Sequence, residues 1–225
     1  MENSNPKIAI IDYEMGNMFS VEHACRNVGL DPVITSDRNI IMSSDAAILP
    51  GVGAFGECMN NLHKLDLESV ITDFIQTGKQ FMGICLGLQL LFSESEEFGS
   101  SKGLNIIQGE VKKFPSANSK GEKLKIPQIG WNHIYKNPGN INWDDSVLNG
   151  ITEKEFMYFV HSYFVQPENS SDTLTLTNYC DIEYCSGIHR ENLTAFQFHP
   201  EKSGKEGIKI YENWAAKIKK SEILN

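Results

Sequence analysis

Two short segments of this chain carry residue types that together can break an acyl–nitrogen or acyl–oxygen bond. The first is Gly83-Ile84-Cys85-Leu86-Gly87, which follows an apolar run and opens a helical pattern. That is the layout of a nucleophile elbow with cysteine in place of serine, presenting the thiol at the surface. The sharp turn needs neighbours without bulk, hence glycine on either side. The positive end of the following helix favours an anionic sulfur. Taken alone, the segment also fits a buried cysteine at a strand end, with glycines for packing. The second segment is His199-Pro200-Glu201, after a strand pattern over 194–198. In an extended stretch, side chains two apart point the same way, so His199 and Glu201 are expected side by side as base and orienting carboxylate. Pro200 stiffens the spacer. Alone, this tripeptide fits a surface turn better. Together the segments supply a nucleophile, a base and a carboxylate, which need only meet in space.

A third segment, Pro50-Gly51-Val52-Gly53-Ala54-Phe55-Gly56, contains a literal G-x-G-x-x-G. A dinucleotide fingerprint would follow the first strand and lead to an acidic strand end. Here a later strand precedes it, a proline intervenes, and no such acid follows. The better use of a glycine-rich strand exit beside the elbow is to aim backbone N–H groups at a developing oxyanion. No phosphate-binding G-x-x-x-x-G-K-[ST] occurs, and no cofactor or metal is expected. Among the other histidines, His23 and His63 fall in helical patterns and read as surface residues. His133 and His189 are ambiguous, and His161 lies in a mostly apolar strand and reads as a core residue.

These segments need a frame. Short apolar runs alternate with helical patterns through the first half: strands at 7–12, 32–35, 46–49 and 80–84, and helices at 19–28, 67–77 and 86–92. This rhythm predicts an α/β fold with a mostly parallel sheet flanked by helices. The second half predicts additional strands at 104–114, 130–135, 155–165, 173–177 and 194–198, and a closing helix at 205–220. No repeat or linker divides the 225 residues, so one domain spanning 1–225 is expected.

Composition removes other classes. Hydrophobic residues make up 40%, enough for a full core, so disorder is excluded for most of the chain. A net charge of −9 repels phosphate backbones and argues against general nucleic-acid binding. The most apolar window, 81–92, is too short to span a membrane. Five cysteines, an odd number behind a polar N-terminus, predict a reduced cytoplasmic protein, with Cys180 and Cys185 as unrelated thiols.

Gly83-Ile84-Cys85-Leu86-Gly87-Leu88-Gln89, taken with Gln197-Phe198-His199-Pro200-Glu201-Lys202-Ser203, resembles the class I (triad) glutamine amidotransferases. Within them the chain is similar to the glutaminase subunits of imidazole glycerol phosphate synthases. The supporting segments are Ile11-Asp12-Tyr13 with Gly16-Asn17, Pro50-Gly51-Val52-Gly53, Ser95-Glu96-Glu97, Pro127 with Gly130-Trp131-Asn132, and Phe159-Val160-His161-Ser162-Tyr163. The resemblance covers residues 7–203, and it implies a flavodoxin-like fold and a mechanism. Cys85 would attack the side-chain amide of L-glutamine, His199 would shuttle the proton, and Glu201 would hold the imidazole. Backbone N–H groups at Leu86 and around Val52 and Gly53 would bind the oxyanion. Gly51, Gln89, Glu97, Ser162 and Tyr163 would hold the substrate. Ammonia would pass to a separate (β/α)₈ synthase subunit in a heterodimer, met by Asn17, Trp131, Tyr158 and Lys202. That partner would make imidazole glycerol phosphate and AICAR in histidine biosynthesis. Glu14, Phe98 and Gln128 depart from the usual pattern at the rim and partner face. They resemble a paralogous branch that supplies ammonia for amidino-sugar formation in bacterial surface polysaccharides. A non-catalytic binding subunit of the same fold is the rival of a different class; the intact triad argues against it.

Overall fold

The runs Lys7–Ile11 and Ala46–Gly51 are apolar almost throughout, which suits strands buried on both faces. In the computed structural model, which describes residues 5–138 and 142–224, they form the centre of a parallel sheet. The strands are β1 (Lys7–Ile11), β2 (Asp31–Thr35), β3 (Ala46–Gly51), β4 (Gln80–Cys85) and, from far along the chain, β14 (Leu193–Phe196). Their order is β2-β1-β3-β4-β14, every neighbouring pair parallel. Alternation sends Ile8, Ile10, Ile48, Met82 and Ile84 to one face and Ala9, Ile11, Ala47, Leu49 and Phe81 to the other. Helices α1 (Met18–Asn27) and α6 (Gly204–Leu224) cover the first face. Helices α3 (Phe55–Lys64) and α4 (Leu67–Gln76) cover the second, with α2 (Arg38–Ser43) beside α4.

Beyond β14 the sheet turns antiparallel. It continues through β13 (Ile182–Arg190), β11 (Tyr163–Pro167) and β7 (Ile107–Lys113). Then come β5 (Phe92–Ser95), parallel to β7, and the short β6 (Ser101–Lys102). Strand β12 (Thr173–Tyr179) pairs with β13 and with β9 (Tyr135–Lys136). A separate antiparallel pair, β8 (Gln128–His133) with β10 (Phe156–His161), stands against this half. Helix α5 (Leu86–Leu90) leaves β4 directly.

The expected α/β architecture with extra strands is therefore present, with local differences. The stretch 155–165 is two strands in two sheets, broken at Ser162. The strand expected from 104 begins at Ile107, and the one expected over 130–135 divides into β8 and β9. The helix expected over 86–92 stops at Leu90 because Phe92 already enters β5. Helices α2 and α3 and strand β13 were not expected. In α3 the apolar residues Phe55, Cys58, Met59 and Leu62 do keep helical spacing, but the glycine-rich run in front of them hides its start.

Candidate active site

Strands β4 and β14 lie side by side and parallel, with Ala195 opposite Gly83 and Phe196 opposite Ile84. Both conspicuous segments therefore leave the sheet at the same carboxyl end, where α/β sheets form their sites. The elbow glycines have a steric reason. A Cβ at Gly83 would come 2.8 Å from Ala195 Cβ, and one at Gly87 would collide with the Leu49 carbonyl oxygen. Helix α5 thus sits directly on β3. Between the glycines Cys85 is forced to φ 56° and ψ −110°, a strained conformation for a residue with a side chain. Cys85 is 7% exposed, so the thiol is buried in a cavity wall and not at the surface as the elbow alone implied.

His199 and Glu201 meet, though not in the way an extended stretch would bring them together. His199 is extended, but Pro200–Lys202 is a 3₁₀ turn, and the turn swings Glu201 back. His199 Nδ1 lies 2.8 Å from Glu201 Oε1, with both side chains almost fully buried. A carboxylate only accepts, so Nδ1 carries the proton of this bond and Nε2 is the atom turned to the reaction. The turn is clamped from β10: the His199 N–H donates to the Tyr158 carbonyl, and Ser203 Oγ accepts from the Tyr158 N–H while donating to the His199 carbonyl. Burial opposes the imidazolium, yet Cys85 and Glu201 outweigh it and raise His199 to about 10. Nε2 nevertheless has no hydrogen-bond partner of good geometry.

Cys85 and His199 line a cavity of about 320 Å³. Of the residues expected there, Val52, Gly53, Leu86, Gln89, Glu97, Ser162 and Tyr163 share its wall, as does Lys202, which was expected at the partner face. Leu86 opens α5, so its N–H has no intrahelical partner. Gly53 holds φ +100° at the strand exit, and the Val52 carbonyl accepts from Cys58 Sγ at 3.5 Å. Glu97 Oε2 accepts from the Phe55 N–H at 2.6 Å, which pins the carboxylate to the start of α3. Gly51 is buried at the end of β3, where a Cβ would come 2.6 Å from the Tyr13 hydroxyl and 2.9 Å from Gly87 N. Its role is to let β3 close on the elbow.

The residues expected at a partner face group on the outside. Trp131 pairs with Tyr158 across β8 and β10, ring centroids 6.0 Å apart, and Trp131 is 54% exposed. Ile129 and Phe156 on the same two strands are also exposed. Asn17 is exposed, with Nδ2 3.3 Å from Ser20 Oγ. Lys202 bridges this face and the cavity.

Sequence reasoning overlooked Gln197 and Val160 as neighbours of the sulfur. Gln197 Nε2 lies 3.8 Å from Cys85 Sγ, and the Val160 carbonyl lies 3.9 Å from it. The available signal was an amide in an apolar run, two residues before His199. His161, expected in the core, is buried but also lines the cavity. Among the described residues no cluster of His, Cys, Asp or Glu is placed to hold a metal ion. Among them, too, no helix is long and apolar enough to cross a membrane.

Known proteins share this arrangement of chain. The imidazole glycerol phosphate synthase subunit HisH of Aquifex aeolicus is 46% identical over 215 residues, covering 95% of this chain and 98% of the relative. The subunit of the same name from Syntrophotalea carbinolica is 43% identical over 208 residues, covering 92% and 98%. The solved structure of PurLQS from Thermotoga maritima superposes with a TM-score of 0.71 at 17% identity, covering 95% of this chain and 99% of that one, a likeness of fold. The sequence profile of glutamine amidotransferase class-I matches residues 9–218, and with relatives this similar over nearly all their length, the chain belongs to the class I glutamine amidotransferase family.

Proposed function

We propose that this chain is the glutaminase subunit of an imidazole glycerol phosphate synthase, hydrolysing L-glutamine to glutamate and ammonia. The observation that carries the reading is that Cys85 and His199 line one cavity with Gln89 and Glu97, while the buried Glu201 holds His199 Nδ1. The Cys85 thiolate attacks the side-chain amide carbon. Leu86 N–H and an N–H of the Val52–Gly53 exit receive the oxyanion. The His199 imidazolium gives its Nε2 proton to the departing nitrogen, the C–N bond breaks, and ammonia leaves behind a glutamyl thioester. Neutral His199 then takes a proton from water, which adds to the thioester. Glutamate departs, and the thiolate and imidazolium are restored. Glu201 keeps the imidazole oriented and steadies its charge. Glu97 and the Gln89 carbonyl oxygen receive the substrate's ammonium, and the Ser162–Tyr163 segment receives its carboxylate.

Ammonia released to water becomes ammonium, a poor nucleophile, so the product needs a sheltered exit. The two relatives above are named as synthase subunits. On the proposed reading a (β/α)₈ synthase subunit docks on Asn17, Trp131, Tyr158 and Lys202, takes up the ammonia, and makes imidazole glycerol phosphate and AICAR in the cytoplasm. Tyr158 belongs to that face and its backbone clamps His199, which supplies a mechanical link between docking and the triad.

The test is a glutaminase assay of the chain alone, with a cognate histidine-pathway synthase subunit, and with that subunit holding its nucleotide ligand. Stimulation of at least about tenfold supports the reading, since one oxyanion donor is worth about 10²–10³ in rate. Full activity without a partner refutes partner control. Stimulation only by a synthase homologue of surface-sugar pathways transfers the chain to that branch, whose pattern Glu14, Phe98 and Gln128 resemble. Binding without hydrolysis makes it a non-catalytic subunit.

A further inference from the structure

Gln197 is fully buried, so each half of its amide needs a partner. Oxygen and nitrogen of an amide look alike by shape, and the network decides between them. The Tyr163 carbonyl can only accept, and it lies 3.1 Å from Gln89, so that end of Gln89 is its NH₂ group. The same nitrogen lies 2.9 Å from Gln197, which must therefore present its oxygen. The other end of Gln197, its NH₂ group, is thereby fixed toward Cys85 Sγ, at 3.8 Å. A fixed backbone carbonyl thus dictates, through two amides, that an N–H donor faces the sulfur.

The sulfur also meets an acceptor, the Val160 carbonyl at 3.9 Å. A thiol can donate to that carbonyl, whereas a thiolate is repelled by it. The Gln197 N–H favours the reverse. Resting on the amidase reading above, we propose that Gln197 is a positioning residue whose side-chain N–H favours Cys85 as a thiolate over the thiol that would donate to the Val160 carbonyl. The imidazolium also stabilises the thiolate, but it surrenders its proton when ammonia leaves. The amide does not titrate, so it supports the sulfur anion at both ends of the cycle: before attack, and as glutamate departs.

The experiment measures alkylation of Cys85 by iodoacetamide across roughly pH 5 to 9, resolved by site with mass spectrometry, in the full chain. A hydrogen bond to a charged group is worth about tenfold or more in population. In Gln197→Met, Cys85 labelling at neutral pH falls by at least about tenfold and its pH curve moves upward, while labelling of the exposed Cys180 is unchanged. With the partner present, kcat falls and KM stays within about twofold. In Gln197→Glu, which keeps an oxygen for Gln89 but sets a carboxylate oxygen by the sulfur, the curve moves further. A folded Gln197→Met protein whose Cys85 curve matches the unaltered chain overturns the proposal. If that variant does not fold, an unmoved curve in Gln197→Glu overturns it. Gln197 in a merely structural role would lower the melting temperature and leave both curves in place. Should the unaltered chain with its partner release no ammonia from glutamine, the amidase reading fails on its own, and the alkylation curves still judge Gln197.

Discussion

His161 should make this fold sensitive to mild acid. Burial pushes the imidazole down to about 4, with the neighbouring His199 acting the same way and the hydrogen bond to the Tyr163 carbonyl opposing. In the unfolded chain the same group titrates near 6.5. The unfolded state therefore takes up the proton first as pH falls, and the contribution of His161 to stability, present in full above 6.5, is lost through the window from 6.5 to about 4. At about 1.4 kcal/mol per pH unit, the loss between pH 7 and pH 4.5 is roughly 2 kcal/mol. Replacement by Phe removes the titration and retains a ring among Phe114, Phe159 and Tyr184, whose centroids lie 5.3, 5.7 and 5.4 Å from that of His161. The assay is urea unfolding of the unaltered chain and His161→Phe at the two pH values. Carboxylates titrate in the same window in both proteins, so the quantity that matters is the difference of the two pH dependences. The variant should lose roughly 2 kcal/mol less on acidification, whatever its stability at pH 7. Equal losses would refute the argument that the histidine is held neutral by burial.

Four further outcomes follow from the same geometry. Cys85→Ala should remove glutamine hydrolysis by roughly 10⁴–10⁶ while preserving the melting transition. Substitution of Cys25, Cys58 or Cys185, which burial pushes up to about 12, should leave turnover within a few-fold in the same assay. Glu201→Gln should cost less than His199→Ala in kcat, because the carboxylate orients the imidazole and transfers no proton; equal costs would make Glu201 a chemical participant. Gly87→Ala should lower stability by about 1–3 kcal/mol or more in chemical denaturation, since its Cβ meets the fixed Leu49 carbonyl. An unchanged midpoint would show that α5 can lift off β3.

Cys85, His199 and Glu201 could be singled out because they sit in unbroken local segments of distinctive residue types. Gly83 and Gly87 announced a tight seat for Cys85 before any neighbour was known, and Leu49 and Ala195 are the neighbours that demand them. The parallel centre was legible for a similar reason: its strands are short apolar runs with clear breaks. What stayed hidden depends on distant pairing. Strand β13 carries Ser186 and Gly187, which look like turn residues, and only the close approach of Thr175 and Phe196 makes glycine necessary there. Ser162 divides two strands of different sheets with nothing local to mark the break. The side-by-side placement of His199 and Glu201 was anticipated with the wrong backbone: His199 is the extended residue before a 3₁₀ turn, and entry into that turn brings Glu201 beside it. Gln197 was missed because an amide's value lies in what it faces, and Gln89 and Tyr163 come from elsewhere in the chain.

The seam between β4 and β14 also sets the order in which the site can come into being. Its two halves are made more than a hundred residues apart, yet Leu193, Thr194, Ala195 and Phe196 must zip against Phe81, Met82, Gly83 and Ile84. A growing chain on the ribosome holds the thiol early and lacks its base until β14 emerges. Until then β4 is a bare apolar edge in need of a chaperone or of its own late strand. Such distant closure also makes folding slow. The same seam is a safeguard on the proposed mechanism: a chain truncated before β14 lacks His199 and Glu201, so incomplete copies would not drain glutamine.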